Sequence, residues 1–297
     1  MHDPFEKNHL LGHVKDADYF DVPRFVSPDG KLHIPQPFAP NPPITTIQIG
    51  AKEIDSRIEP MDLRITKFMV LETVAALLIA VLFIGLARKI SRGRPPRGRL
   101  WNLLEAMLLY IRDQVARPAI GEHDGDRFVP LLWTMFFFVL TCNLLGLLPS
   151  AGTATGALGT TAALAFVTFL VVVGSGMAKL GPLGFWLHLV PSMDLPIVLA
   201  IFLYPLIFVI ELLGLIIKHM VLAVRLLANM LGGHLVLAVI IGFIVASAHH
   251  AAWYGVAPAS VFAAAMLSVL ELMFAFIQAY IFTFLSAIFI GMAVHPH

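Results

Sequence analysis

Residues 224 to 236 read VRLLANMLGGHLV, and three of them are out of place in an apolar stretch: Arg225, Asn229 and His234. A charged group deep in lipid is costly, so such a residue faces protein or water rather than acyl chains. Glu211, Lys218 and Arg225 are spaced by seven and seven. Seven residues turn a helix by about 700°, about 20° short of two turns. The three therefore form one stripe, and Asn229, four residues beyond Arg225, stays close to it. Lys218 can reach an interface on its long stem, and His219 beside it suits a helix contact as well as a site. Arg225 lies too far from either end of the stretch for that. It is a fixed positive charge, because a guanidinium keeps its proton even when buried. His234, nine residues on, falls half a turn away and serves a different face; a histidine titrates near neutral pH.

A second polar set lies downstream. Glu271 and Gln278 are again seven apart, and Ser268 and Ala275 extend their face at spacings of three and four. Small residues surround both sets: Ala228, Gly232 and Gly233 beside Asn229, Ala275 and Ala279 beside Gln278. Small side chains let another helix approach closely. They pack this chain's own helices, or they offer a smooth surface to a partner that slides past.

The elements that must carry these residues are membrane spans. Of 297 residues, 58% are hydrophobic and 13% charged, against roughly 25% charged in an average soluble domain. The first span is FMVLETVAALLIAVLFIGLA, residues 68 to 87, with Glu72 close enough to its start to reach the interface. The loop 88 to 99 holds six basic residues and no acidic one, which places it in the cytoplasm and the N-terminus outside. Residues 100 to 118 carry Leu104, Met107, Leu108, Ile111 and Val115 at helical spacing, with Glu105 and Arg112 on another face. That mixture predicts an interfacial amphipathic helix. A polar loop, GEHDGDRF, follows. Residues 129 to 149 and 160 to 177 form a transmembrane hairpin, and 178 to 196 a cytoplasmic connector with an interfacial element.

The last two apolar regions are too long. Residues 196 to 246 would span about 75 Å as a helix and 258 to 294 about 55 Å, against a hydrocarbon core of about 30 Å. Pro205 is the only evident breaker deep in the first, and it sits near its start. The expectation is a C-terminal hairpin of two long, strongly tilted helices, in an all-α integral membrane protein. Residues 1 to 65 are polar and proline-rich, a solvated tail outside the membrane with a short hairpin around GKLHI; residues 66 to 297 form the membrane domain. The C-terminus is then cytoplasmic.

Several classes are excluded. The chain lacks zinc-type Cys/His spacing, a phosphate-cradling glycine loop, a His-Glu-x-x-His pair and a Gly-x-Ser-x-Gly elbow, so no catalytic, cofactor or metal site is expected. A net charge of +1 implies no nucleic-acid partner. Cys142, the single cysteine, is a packing residue.

RLLANMLGGH followed by ELMFAFIQAYIF, with CNLLGLLP and ELLGLIIKHMVLAVRLLANM, resembles subunit a of rotary F-type ATP synthases over roughly residues 65 to 295. The family's common RLFGN is RLLAN here. The resemblance implies a membrane stator against a ring of c subunits, each bearing a mid-membrane carboxylate. It implies two half-channels that open to opposite sides and connect only through rotation of the ring. By position it assigns the essential arginine to Arg225 and its asparagine to Asn229. Glu211 falls at the cytoplasmic half-channel, and His234, Glu271 and Gln278 at the far one. Lys218, His219 and Ser268 are secondary candidates. Many bacterial members have an acid where His234 stands and a histidine where Glu271 stands; the exchange here is the mitochondrial pattern and keeps the relay pair. The implied partners are the c-ring, the b subunits of the peripheral stalk, the rest of the F1Fo complex and the lipid bilayer, in a bacterial inner membrane. A secondary transporter with Arg225 binding an anion is the alternative, although no internal repeat supports it.

Overall fold

A computed structural model describes residues 16–21, 31–36, 65–91, 98–148, 152, 154–190, 197–248 and 250–295. Most of the N-terminal tail lies outside the described residues. Its described part holds the expected hairpin: β1 (Tyr19–Asp21) pairs antiparallel with β2 (Lys31–His33), Tyr19 opposite His33. The second strand is exposed, and residues flanking the hairpin tie it to the start of the helix that follows. The Lys67 N–H donates to the Ala17 carbonyl at 2.8 Å, and the Phe68 N–H donates to the Asp16 carboxylate at 3.4 Å. The Gln36 side chain exchanges two hydrogen bonds with the Ile65 backbone, 2.8 and 2.9 Å. The first turn of a helix has no internal partners for its N–H groups, and the tail supplies two of them to the helix that follows.

That helix, α1 (Lys67–Ser91), is the first span and ends on Arg88 and Lys89. Cations there complement the negative end of the helix dipole. The amphipathic segment is one continuous helical run in three parts: α2 (Arg99–Tyr110), a wider π-helical stretch (Ile111–Ala116) and α3 (Arg117–Ile120). Leu104, Ile111 and Val115 are buried, as their spacing predicts. The wider turn rotates the face, so that Val115 and Ala116 are both fully buried.

The expected loop GEHDGDRF is a correction. The helix α4 (Glu122–Gly146) begins inside it. Gly121, at φ 107°, makes the whole connection from α3, in a conformation that L side chains rarely adopt. Glu122 and Asp124 occupy the first turn of α4, where acidic groups meet the positive end of the helix dipole. Arg117 pairs with Asp126 at 3.0 Å and Lys179 with Asp124 at 2.5 Å, so the polar residues pin helix ends.

A short 3-10 turn (Ala154–Gly156) leads into α5 (Leu158–Leu180); α4 packs mainly on the last helix and α5 on the last two, rather than on one another. The connector carries α6 (Pro182–His188), a single short helix with proline in its first turn. The two over-length regions are each one helix: α7 (Ile197–Ser247) and α8 (Trp253–Val294). At 1.5 Å per residue they run about 76 and about 63 Å. Pro205 lies inside α7 and Pro258 inside the first turns of α8, and neither ends its helix. Among the described residues, five helices are long and apolar enough to cross a bilayer.

The core lies where α4, α5, α7 and α8 meet, around Leu132, Val139, Leu222, Leu226, Phe282 and Ile290. Helices in lipid gain little from burying apolar surface, so close packing must hold them. Glycines supply it. A Cβ at Gly291 would collide with the Ala119 carbonyl, and one at Gly176 with the Phe185 ring. The first contact seats α8 on α3; the second seats α6 on α5.

Candidate functional site

Helical geometry sorts the polar residues of α7 by angle. Its buried face is formed by Leu222, Ala223, Leu226 and Met230, with His219 among them. Glu211, Arg225 and Asn229 lie along one edge of that face and are half-buried, while Lys218, on the same edge, is exposed. His234, nine residues beyond Arg225, lies along the opposite edge and is half-buried. The half-turn separation expected from the sequence is therefore present. Next to the Arg225 edge, α7 presents Val221 uncovered, together with Ala228 and Gly232.

One polar group surrounds a 330 Å³ cleft between α5, α6, α7 and α8. Glu211, Lys218 and His188 line it, and Leu180, Leu215 and Phe289 form apolar parts of its wall. His219 lies one turn from Leu215, whose carbonyl contacts its Nδ1 at 2.8 Å. Its ring packs between Phe169 and Phe289, centroids 5.3 and 5.2 Å away. It belongs to the helix contact behind the cleft, not to the stripe of Glu211 and Arg225.

A second group gathers where the C-terminal end of α4 meets α7 and α8. His234 Nε2 sits 2.9 Å from the Gly146 carbonyl and its Nδ1 3.2 Å from the Met230 carbonyl. Glu271 is buried with its carboxylate directly on Gly233, where a Cβ would overlap it. Glu271 is also within electrostatic range of His234. Gln278 is buried on the same face of α8. Glu271 Oε1 and Gln278 Nε2 are buried with no hydrogen-bond partner. Buried polar atoms are normally paired; among the described residues these two and His219 Nε2 are not.

Ser268 is not brought into this group. It is exposed, and its hydroxyl donates to the Ala264 carbonyl at 3.0 Å. Three residues place it about 60° off the Glu271 direction. Ser260, eleven residues before Glu271 and so back in line with it, is buried instead.

Asn143 is a residue that sequence reasoning passed over. It is fully buried on α4. Its amide donates to the Ala275 carbonyl at 3.3 Å, between Glu271 and Gln278, and its oxygen accepts from the Thr155 hydroxyl at 2.8 Å. An asparagine in the middle of an uncharged apolar run was the available signal.

Arg225 stands between the two groups, about 21 Å along the helix from Glu211 and about 13 Å from His234. Among the described residues, ion pairs join Arg112, Arg117, Lys179 and His295 to Asp113, Asp124 and Asp126. Arg225 takes part in none of them. A half-buried guanidinium without a carboxylate partner among the described residues can meet one supplied from outside the chain.

Fold and site thus define an all-α integral membrane protein with two separated polar groups and, between them, an arginine in no ion pair among the described residues, on helices too long for the bilayer. The family described as ATP synthase A chain matches residues 69–291. ATP synthase subunit a of Chloroherpeton thalassium is 37% identical over 300 residues, covering 99% of this chain and 78% of that one. The Myxococcus xanthus protein of the same name is 43% identical over 241 residues, 80% and 76% of the two chains. ATP synthase subunit a 2 of Chlorobaculum tepidum is 39% identical over 290 residues, 96% and 72%. The chain belongs to the ATP synthase A chain family.

Proposed function

We propose that this chain is the non-catalytic stator of a proton-driven rotary ATP synthase, with Arg225 as the fixed charge between two half-channels. The observation that carries the reading is the position of Arg225. It is half-buried and without an ion-pair partner among the described residues, and it stands between two polar groups that do not touch each other.

The basic loop sets the orientation: N-terminal tail outside, C-terminus in the cytoplasm of a bacterial cell. The cleft of Glu211 and Lys218 then opens to the cytoplasm. His234, Glu271, Gln278 and Asn143 belong to the outer half-channel. The membrane domain is residues 66 to 297, and α7 and α8 cross at a slant, since rods of about 76 and about 63 Å exceed a core of about 30 Å.

The chemistry is proton transfer without covalent change in this chain. A carboxylate on each ring subunit crosses lipid in its neutral form, because low dielectric disfavours its charge. Beside Arg225 the ionised form is favoured, so the carboxylate gives up its proton to one half-channel and is reloaded from the other. Arginine serves where lysine would not, because it stays charged when desolvated. Its charge also repels protons and blocks a direct leak between the half-channels. His234 and Glu271 form the relay pair of the outer half-channel. The uncovered apolar face beside Arg225, with Ala228 and Gly232, suits a ring helix that slides past.

Purification of the tagged chain in mild detergent tests the assembly. A ring-forming subunit with a mid-membrane carboxylate and the b subunits are expected to come with it. A chain that purifies without them yet transports an organic anion through Arg225 is instead a secondary transporter.

A further inference from the structure

Glu72 stands outside the residues assigned so far. It lies in the second turn of α1, within an otherwise uncharged apolar run. A carboxylate so near the start of a span is expected to bend out to the interface. Here it turns inward. Its Oε1 accepts a 2.5 Å hydrogen bond from the Thr160 hydroxyl at the start of α5, and the side chain is half-buried.

The surroundings lead on toward the outer half-channel. From α4, Cys142 lies within electrostatic range of Glu72 and directly precedes Asn143. Phe68 and Leu71, the neighbouring residues of α1, pack on Ala154. The next residue, Thr155, donates to Asn143, and Asn143 bonds the α8 backbone between Glu271 and Gln278. The groups facing Glu72 are therefore the Thr160 hydroxyl from α5 and the Cys142 thiol from α4; on its own helix the nearest charge is Lys67, five residues back. No cation pairs with Glu72 among the described residues. A helix contact alone needs only an acceptor for Thr160, which an amide supplies equally well. A carboxylate adds one capacity, that of taking up and releasing a proton.

We propose that Glu72 is the proton-collecting residue at the mouth of the outer half-channel. The inference rests on the function proposed above. Glu72 takes a proton from the outside water and becomes a carboxylic acid. The proton then passes inward to the imidazole of His234 or the carboxylate of Glu271. Glu72 is left ionised for the next proton.

The test uses membrane vesicles that hold the whole membrane sector, with the catalytic head removed. Passive proton conductance is measured while the pH on the outer side alone is varied. Glu72→Gln keeps an acceptor for Thr160 and cannot carry a proton; it should lower conductance about tenfold and remove one midpoint from the outer-side pH profile. Glu72→Asp should retain conductance with a displaced midpoint, and Thr160→Val should displace that midpoint as well. Wild-type conductance and profile in Glu72→Gln overturn the proposal. If that variant does not assemble, Glu72→Asp decides: a displaced midpoint supports the role and an unmoved one overturns it. His234→Ala in the same vesicles separates the two levels. Lost conductance there with a silent Glu72→Gln removes only the role of Glu72; a silent His234→Ala removes the half-channel reading beneath it.

Discussion

The carboxylate of Glu271 on α8 rests directly against Gly233 on α7, one residue before His234. The contact exists because position 233 has no side chain: a Cβ there would occupy the place of the carboxylate. It brings the acid and the imidazole of the proposed outer half-channel to one crossing of the two long helices.

Gly233→Ala should therefore displace Glu271 without unfolding the chain. Proton pumping by the assembled complex is expected to fall about tenfold, equivalent to about 1.4 kcal/mol on the barrier. Adding Glu271→Asp, which shortens the acid by one methylene, should restore part of the rate. Undiminished pumping in Gly233→Ala contradicts the relay contact.

Asn143→Leu is expected to harm both stability and transport. It removes two buried hydrogen bonds, one from the Thr155 hydroxyl and one to the Ala275 carbonyl, at a cost of about 1–3 kcal/mol. The melting temperature of the detergent-purified complex should drop, and the outer-side pH dependence of proton flux should change. Asn143→Asp retains an acceptor for Thr155 and should recover more of the stability than of the flux.

Solvent access can be mapped with single cysteines in a Cys142→Ala background. Cysteines at 211 and 218 are expected to react with a membrane-impermeant thiol reagent from the cytoplasmic side. Cysteines at 234 and 278 should react from the outside. Labelling of both pairs from the same side would rule out two half-channels.

The interfacial segment has its own pH dependence. A hydrogen bond from Arg112 holds the Asp113 carboxyl below its ordinary value, and the nearby Arg117 acts in the same direction. A depressed carboxylate stabilises the fold above its unfolded value, about 3.9 for aspartate, and that contribution is lost as pH falls through the folded value. Amide protection over residues 111 to 117, taken relative to the intrinsic exchange rate, should thus hold at neutral pH and fall below about pH 4. Raised salt should weaken this exposed network too.

Periodicity and length made much of this legible in the sequence. The two over-length helices followed from uninterrupted apolar runs, and the opposed edges of Arg225 and His234 followed from a nine-residue separation. What stayed hidden depended on partners far along the chain. Asn143 bonds a backbone carbonyl 132 residues away, and a carbonyl leaves no trace in residue types. GEHDGDRF was misread because its charges suggested water, whereas they pin helix ends; Glu122 and Asp124 after a glycine were the missed start signal. Ser268 was assigned on a three-residue spacing, about 60° off the stripe. Nothing local marks Thr160, 88 residues on, as the partner of Glu72.

The central claim is that Arg225 separates the half-channels and drives proton release from the ring. Its most direct test is ATP-driven proton pumping by the purified, reconstituted complex carrying Arg225→Ala, with assembly verified by subunit content. The account predicts that coupled pumping is abolished in a complex that still assembles, and that Arg225→Lys is severely impaired. Full coupled pumping in Arg225→Ala would contradict it.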